Sequence, residues 1–93
     1  MNVIRADLPG AELVTEGIGD LERGDVDTIP ALLVSIGAPR LRSFGLVVPN
    51  GVPEPETALY LALAEEYDNA AHSQYNALVQ RLVKFERALA CVA

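Results

Sequence analysis

Apolar residues recur in the last third of the chain with nearly unbroken helical spacing. Ala71, Tyr75, Leu78, Leu82, Phe85, Leu89 and Val92 alternate steps of four and three, and Val79 and Val83 widen the stripe on one side. This pattern predicts a long amphipathic helix over 69–92, with Asp68 or Asn69 able to cap its start and Lys84 and Arg87 near its negative end. At about 100° per residue the stripe covers roughly half the helix circumference, wider than a coiled-coil seam. Such a helix must lie against the rest of the chain, against a second copy, or both. A homodimer through Tyr75, Leu78, Val79, Leu82, Phe85 and Leu89 is therefore expected, with a monomeric bundle as the competing reading.

Upstream, the same periodicity predicts shorter elements. Leu13, Val14, Ile18 and Leu21 suggest a helix over 8–23, entered at Pro9 and ended at Gly24, with Glu12, Glu16, Asp20 and Glu22 on its outer side. Gly17 and Gly19 each weaken it by about 1 kcal/mol against alanine, and mark either a break or a close helix crossing. Ile29, Leu32, Leu33 and Ile36 predict a helix over 28–36 stopping at Gly37; Leu41 and Phe44 predict a brief one over 39–44 closed by Gly45. Residues 45–54 form a Pro- and Gly-rich loop. A helix over 55–67 follows, apolar on most sides (Ala58, Leu59, Leu61, Ala62, Leu63) and hence expected to be well buried. At most a scrap of β-structure could pair 3–4 with 46–48. The expected fold is all-α: one domain over 1–93, a small bundle of about five helical segments.

Composition bears this out as a packed core rather than disorder. Of the 93 residues 51% are hydrophobic and only 5% aromatic, so the apolar mass is aliphatic. A chain this short is often marginal as a monomer, which favours self-association.

The net charge of −6 is unevenly distributed. From Asp7 to Asp27, the seven acids Asp7, Glu12, Glu16, Asp20, Glu22, Asp25 and Asp27 face a single base, Arg23; Glu54, Glu56, Glu65, Glu66 and Asp68 form a second acidic stretch. This sign repels phosphate backbones and anionic lipid, and makes a basic protein surface the better partner. The opening MNVIRADLPG lacks the pattern of a secretory leader, and no run approaches the roughly 20 apolar residues of a membrane span. The one cysteine, Cys91, allows no internal disulfide. A cytoplasmic protein is expected.

Candidate chemistry is sparse. Asp68, His72 and Asn76 share a helical stripe, with Tyr75 beside them; a carboxylate four residues before a histidine can orient its ring for acid–base work. The same residues equally describe a capped helix start on a solvated face. A single His and a single Cys make no zinc pattern, the acidic pairs lack an EF-hand loop, and no phosphate-binding glycine motif is present, so neither a metal nor a cofactor is expected. The segments 28–36 and 39–44 could mimic a helix-turn-helix with Arg40 and Arg42 on the second piece, but two arginines in an acidic protein are a weak DNA footprint. The preferred reading is a non-enzymatic interaction or regulatory protein, an adaptor or antitoxin-like inhibitor. A small enzyme or ligand-binding protein using Asp68, His72, Tyr75 and Asn76 comes second, and a DNA-binding regulator third.

Overall fold

A computed structural model describes residues 4–92 of the chain. Among these residues there are four α-helices: α1 (Ala11–Glu22), α2 (Ile29–Ser43), α3 (Pro55–Tyr67) and α4 (Ala71–Val92). A single 3-10 turn, Asp68–Ala70, joins α3 to α4. The Cα radius of gyration is 12.6 Å, against about 12 Å for a close-packed chain of this length, so the helices form one body.

The predicted segments 28–36 and 39–44 are one continuous helix, α2. Proline inside a helix removes a backbone hydrogen bond and costs about 3 kcal/mol. Here Pro39 stands in the penultimate turn, and continuing the helix buries Ala38 and Leu41. Gly37 is not a cap but a buried crossing point: a Cβ there would come within 3.0 Å of Leu82 and of Glu86 on α4. The true ends of α1 and α2 share one geometry. Gly24 and Gly45 take left-handed φ values of 86° and 95°. In each case the two following amides turn back onto the last helical turn: Gly24 to Leu21 and Asp25 to Asp20, Gly45 to Arg42 and Leu46 to Leu41.

Helix α1 starts at Ala11 rather than at residue 8, because Gly10 is pressed against the Arg81 carbonyl of α4, where a Cβ would approach to 2.8 Å. The close crossing expected from the α1 glycines is made by Gly17 alone, which lies on Pro30 and Val34 of α2. No strand forms among the described residues; Ile4 and Leu46–Val48 are irregular, and Val3 lies outside them.

Helix α2 is the hub, packing on α1, α3 and α4. Its consecutive residues Ala31, Leu32, Leu33 and Val34 are all buried, which explains why it shows no clear polar face. Around it close Val14 and Ile18 from α1, Leu59 and Leu63 from α3, and Leu82 and Phe85 from α4. Two charged residues join this interior. Asp20, expected on the outer side of α1, is only 7% exposed; it pairs with Arg23 and accepts a 2.6 Å hydrogen bond from the Thr28 hydroxyl. Thr28 in turn caps α2 by accepting from the Ala31 amide at 3.2 Å.

Candidate functional site

Helix α3 departs furthest from expectation. Only Leu59 and Leu63 are fully buried; Ala58, Ala62 and Ala64 are half-buried against the core, and the large apolar side chains that remain face outward. Leu61 is 62% exposed, Tyr60 41% and Tyr67 40%. The cause is positional. Among the described residues α3 packs chiefly on α2 and α4, with the 3-10 turn at its end, so a helix that is apolar all round has one side left over. Tyr60 meets Tyr75 of α4 with ring centroids 5.8 Å apart and planes tilted by 54°, a favourable aromatic geometry. With Glu56, Thr57 and Leu61 these rings line a shallow cleft of about 350 Å³ on the α3–α4 hairpin.

The carboxylates of α3 are placed by helical spacing. Glu56 lines the cleft one turn before Tyr60, whereas Glu65, nine positions on and about 180° round the helix from it, stands on the opposite side of α3. Both are exposed, as are Glu54, Glu66 and Asp68. Residues 43–80 contain no Lys or Arg.

The polar cluster expected at the start of α4 is only partly assembled. The Asn76 side-chain amide lies 3.3 Å from His72 Nε2. No hydrogen bond or ion pair among the described residues joins Asp68 to His72; Asp68 ends α3 with an unusual φ of 49°. Tyr75 turns to Tyr60 instead. Asp68, His72 and Asn76 are all exposed and line neither this cleft nor the one between α2 and the 50–56 segment. The arrangement describes a solvated helix face.

Arg40 and Arg42 do not form a basic recognition surface on a separate helix. Arg42 donates to the Val48 carbonyl through Nε at 3.1 Å and Nη2 at 2.6 Å, and to Asn50 Oδ1 at 3.2 Å, tying the loop after α2 to its last turn. This occupies the one basic side chain in the second cleft, about 390 Å³ in volume and lined by Ser35, Pro39, Asn50 and Glu56 among others. Arg40 acts on Glu86 of α4. Glu86 is 7% exposed, and burial pushes its carboxyl above the ordinary range while the Arg40 charge pulls it back. Glu86 could have been found in the sequence, since it falls four residues after Leu82 and three before Leu89, inside the apolar stripe.

Of the interface residues expected on α4, Leu82 and Phe85 are enclosed in the chain's own core, whereas Tyr75, Leu78, Val79 and Leu89 are half-buried against it. No group of three His, Cys, Asp or Glu side chains placed to hold a metal ion occurs among the described residues, and no described helix is long and apolar enough to cross a membrane. No protein-family model, curated protein or solved structure matches the chain.

Proposed function

We propose that this chain is a non-enzymatic interaction protein with a regulatory or adaptor role, and that its working surface is the outer face of the α3–α4 hairpin. The observation that carries the reading is the exposure of Leu61, Tyr60 and Tyr67 on a helix whose other side is fully packed. Single exposed apolar residues are ordinary on protein surfaces, but Tyr60 and Leu61 line one cleft together with Tyr75 of α4, and apolar residues grouped in this way are the usual mark of an interaction site. Tyrosine beside leucine also suits such a face, because it supplies large contact area with few rotatable bonds. An acid–base role for His72 has less support, because its stripe is open to water and Asp68 is not bonded to it.

Self-association along α4 is the second reading, favoured by the half-buried Tyr75, Leu78, Val79 and Leu89. It would have to act without Leu82 and Phe85.

Carbene footprinting of the chain in extract of its native host and after purification tests the proposal. Tyr60, Leu61 and Tyr67 should lose labelling in the extract, while Val47, 65% exposed on another part of the surface, keeps it. Equal labelling of the α3 residues in both samples would count against an interaction role. Light scattering on the purified chain decides between a second copy and a different partner.

A further inference from the structure

We propose that Asn50 is a self-modification site: its side-chain amide is lost to attack by the Gly51 nitrogen, and the carboxylate that results is received by Arg42. With age, and without an enzyme, the chain gains a negative charge at the cleft between α2 and the 50–56 segment, which Asn50, Gly51 and Arg42 all line.

Three observations select this asparagine. The first is the residue that follows it. Asn50-Gly51 is the one Asn-Gly step in the chain, whereas Asn2, Asn69 and Asn76 precede Val or Ala. A Cβ on the following residue crowds the approach of its nitrogen to the asparagine side chain, and glycine has none. Packing keeps glycine there, because a Cβ at Gly51 would collide with the Ser35 hydroxyl. The second is the backbone. Asn50 and Gly51 are both exposed and belong to no helix, and among the described residues the Gly51 amide donates no hydrogen bond. Asn69 and Asn76 lie in the 3-10 turn and in α4, where regular φ and ψ deny the chain the rearrangement that ring closure needs.

The third is what waits for the product. Arg42 Nη2 already reaches Asn50 Oδ1 at 3.2 Å, and among the described residues Arg42 has no ion pair. An acid at this position supplies the anion that the guanidinium lacks, and turns a neutral hydrogen bond into a charge-assisted one.

The step needs water alone. The Gly51 nitrogen gives its proton to water and bonds to Asn50 Cγ. The bond from Cγ to Nδ2 breaks, and Nδ2 takes up a proton and leaves as ammonia. Water then opens the cyclic imide. Cleavage between the nitrogen and Cγ gives aspartate, whose side chain stays where Arg42 reaches it. Cleavage at the Asn50 carbonyl carbon gives isoaspartate, in which the main chain runs through Cγ.

The test incubates the full chain in warm, mildly alkaline buffer. Residues 43–80 contain no Lys or Arg, so trypsin releases Asn50, Asn69 and Asn76 in one peptide, and tandem mass spectrometry reads all three together. Exchange of NH2 for OH should be several-fold faster at Asn50 than at the other two. Isoaspartyl methyltransferase should label the aged native chain. N50Q, whose longer side chain must close a larger ring, should show neither change on the same timescale. N50D stands in for the aspartyl product, once circular dichroism shows it folded. It should raise Tm by roughly 2–4 °C over the native chain. That gain should vanish in an R42Q background and in molar salt.

Amide loss at Asn50 no faster than at Asn69 or Asn76 would overturn the site. An N50D chain no more stable than the native one, or a gain that persists in R42Q or in molar salt, would overturn the part given to Arg42. If R42Q does not fold, the salt series decides that part alone.

Discussion

Replacing Gly17 with alanine tests the packing of the fold where two helix backbones come close. In an exposed helix interior the change is favourable by about 1 kcal/mol, because alanine loses less backbone entropy. At Gly17 the added methyl would lie 2.8 Å from the Pro30 carbonyl carbon, and nearer still to the Pro30 oxygen and Val34 Cγ2. The obstacle is mostly backbone, so no rotamer change relieves it and α1 must move away from α2. Overpacking of this kind typically costs 1–3 kcal/mol, and a clash against backbone belongs at the upper end, about 3 kcal/mol. Subtracting the propensity gain leaves a net loss of about 2 kcal/mol. For a domain of this size that is a fall in Tm of roughly 8–16 °C. Gly19 supplies the internal control: a Cβ there meets only the mobile end of Arg23, at 3.4 Å. G19A should gain up to about 1 kcal/mol by the same propensity argument. Urea unfolding followed by far-ultraviolet circular dichroism measures both, with a shared m-value showing that the unfolded reference is unchanged. If G17A were as stable as G19A, the α1–α2 crossing described here would be wrong.

Other substitutions probe the buried charges and the open face. Glu86 has its carboxyl raised above the ordinary value of 4.5 by burial, so its protonated form favours the fold. That contribution is complete below 4.5, is lost as pH rises through the raised value, and leaves an ionised group that opposes folding at neutral pH. E86Q should therefore be more stable than the native chain at pH 7, with the advantage shrinking as the pH falls towards 4.5; a pH-independent difference in urea midpoints would refute the assignment. T28V removes both the cap on the Ala31 amide and the hydrogen bond to buried Asp20, and should cost about 2–3 kcal/mol. T28S should recover most of that loss, and a neutral T28V would show that Asp20 finds other partners. H72A, on the exposed side of α4, should shift stability by no more than about 0.5 kcal/mol; a larger loss would reveal packing around the ring that its exposure does not suggest.

The parts of the fold legible in the sequence are those where local and tertiary preferences agree. The stripe of α4 reads true because Leu82 and Phe85 fall at its centre and are fully enclosed. Gly24 and Gly45 read true because a left-handed residue is needed wherever these helices stop. Gly37 and Pro39 mislead because both are local helix breakers, and the burial of Ala38 and Leu41 overrides them. Helix α3 misleads in the opposite sense. Its apolar residues surround the axis, so nothing in their spacing says which side a three-neighbour bundle leaves uncovered. The candidate site is accordingly only half visible: the spacing places Tyr75 in the apolar stripe of α4 and beside His72, whereas its ring meets Tyr60 across a turn that no periodicity reports. Asp20 was hidden for a related reason, since its partner Thr28 lies beyond the end of its own helix.

The order of packing has a consequence for time. Each helix lies against its neighbour in sequence; α2 also reaches past α3 to meet α4, and Arg81 of α4 pairs at 2.6 Å with Glu12 of α1. Chains dominated by such local contacts fold in microseconds to milliseconds, because little loop-closure entropy is lost before contacts form. The slow step should then be the arrival of α4 on α2, where Gly37 receives Leu82 and Glu86. Truncating Leu82 should slow folding, whereas changes on the outer face of α3 should leave both rates where they are.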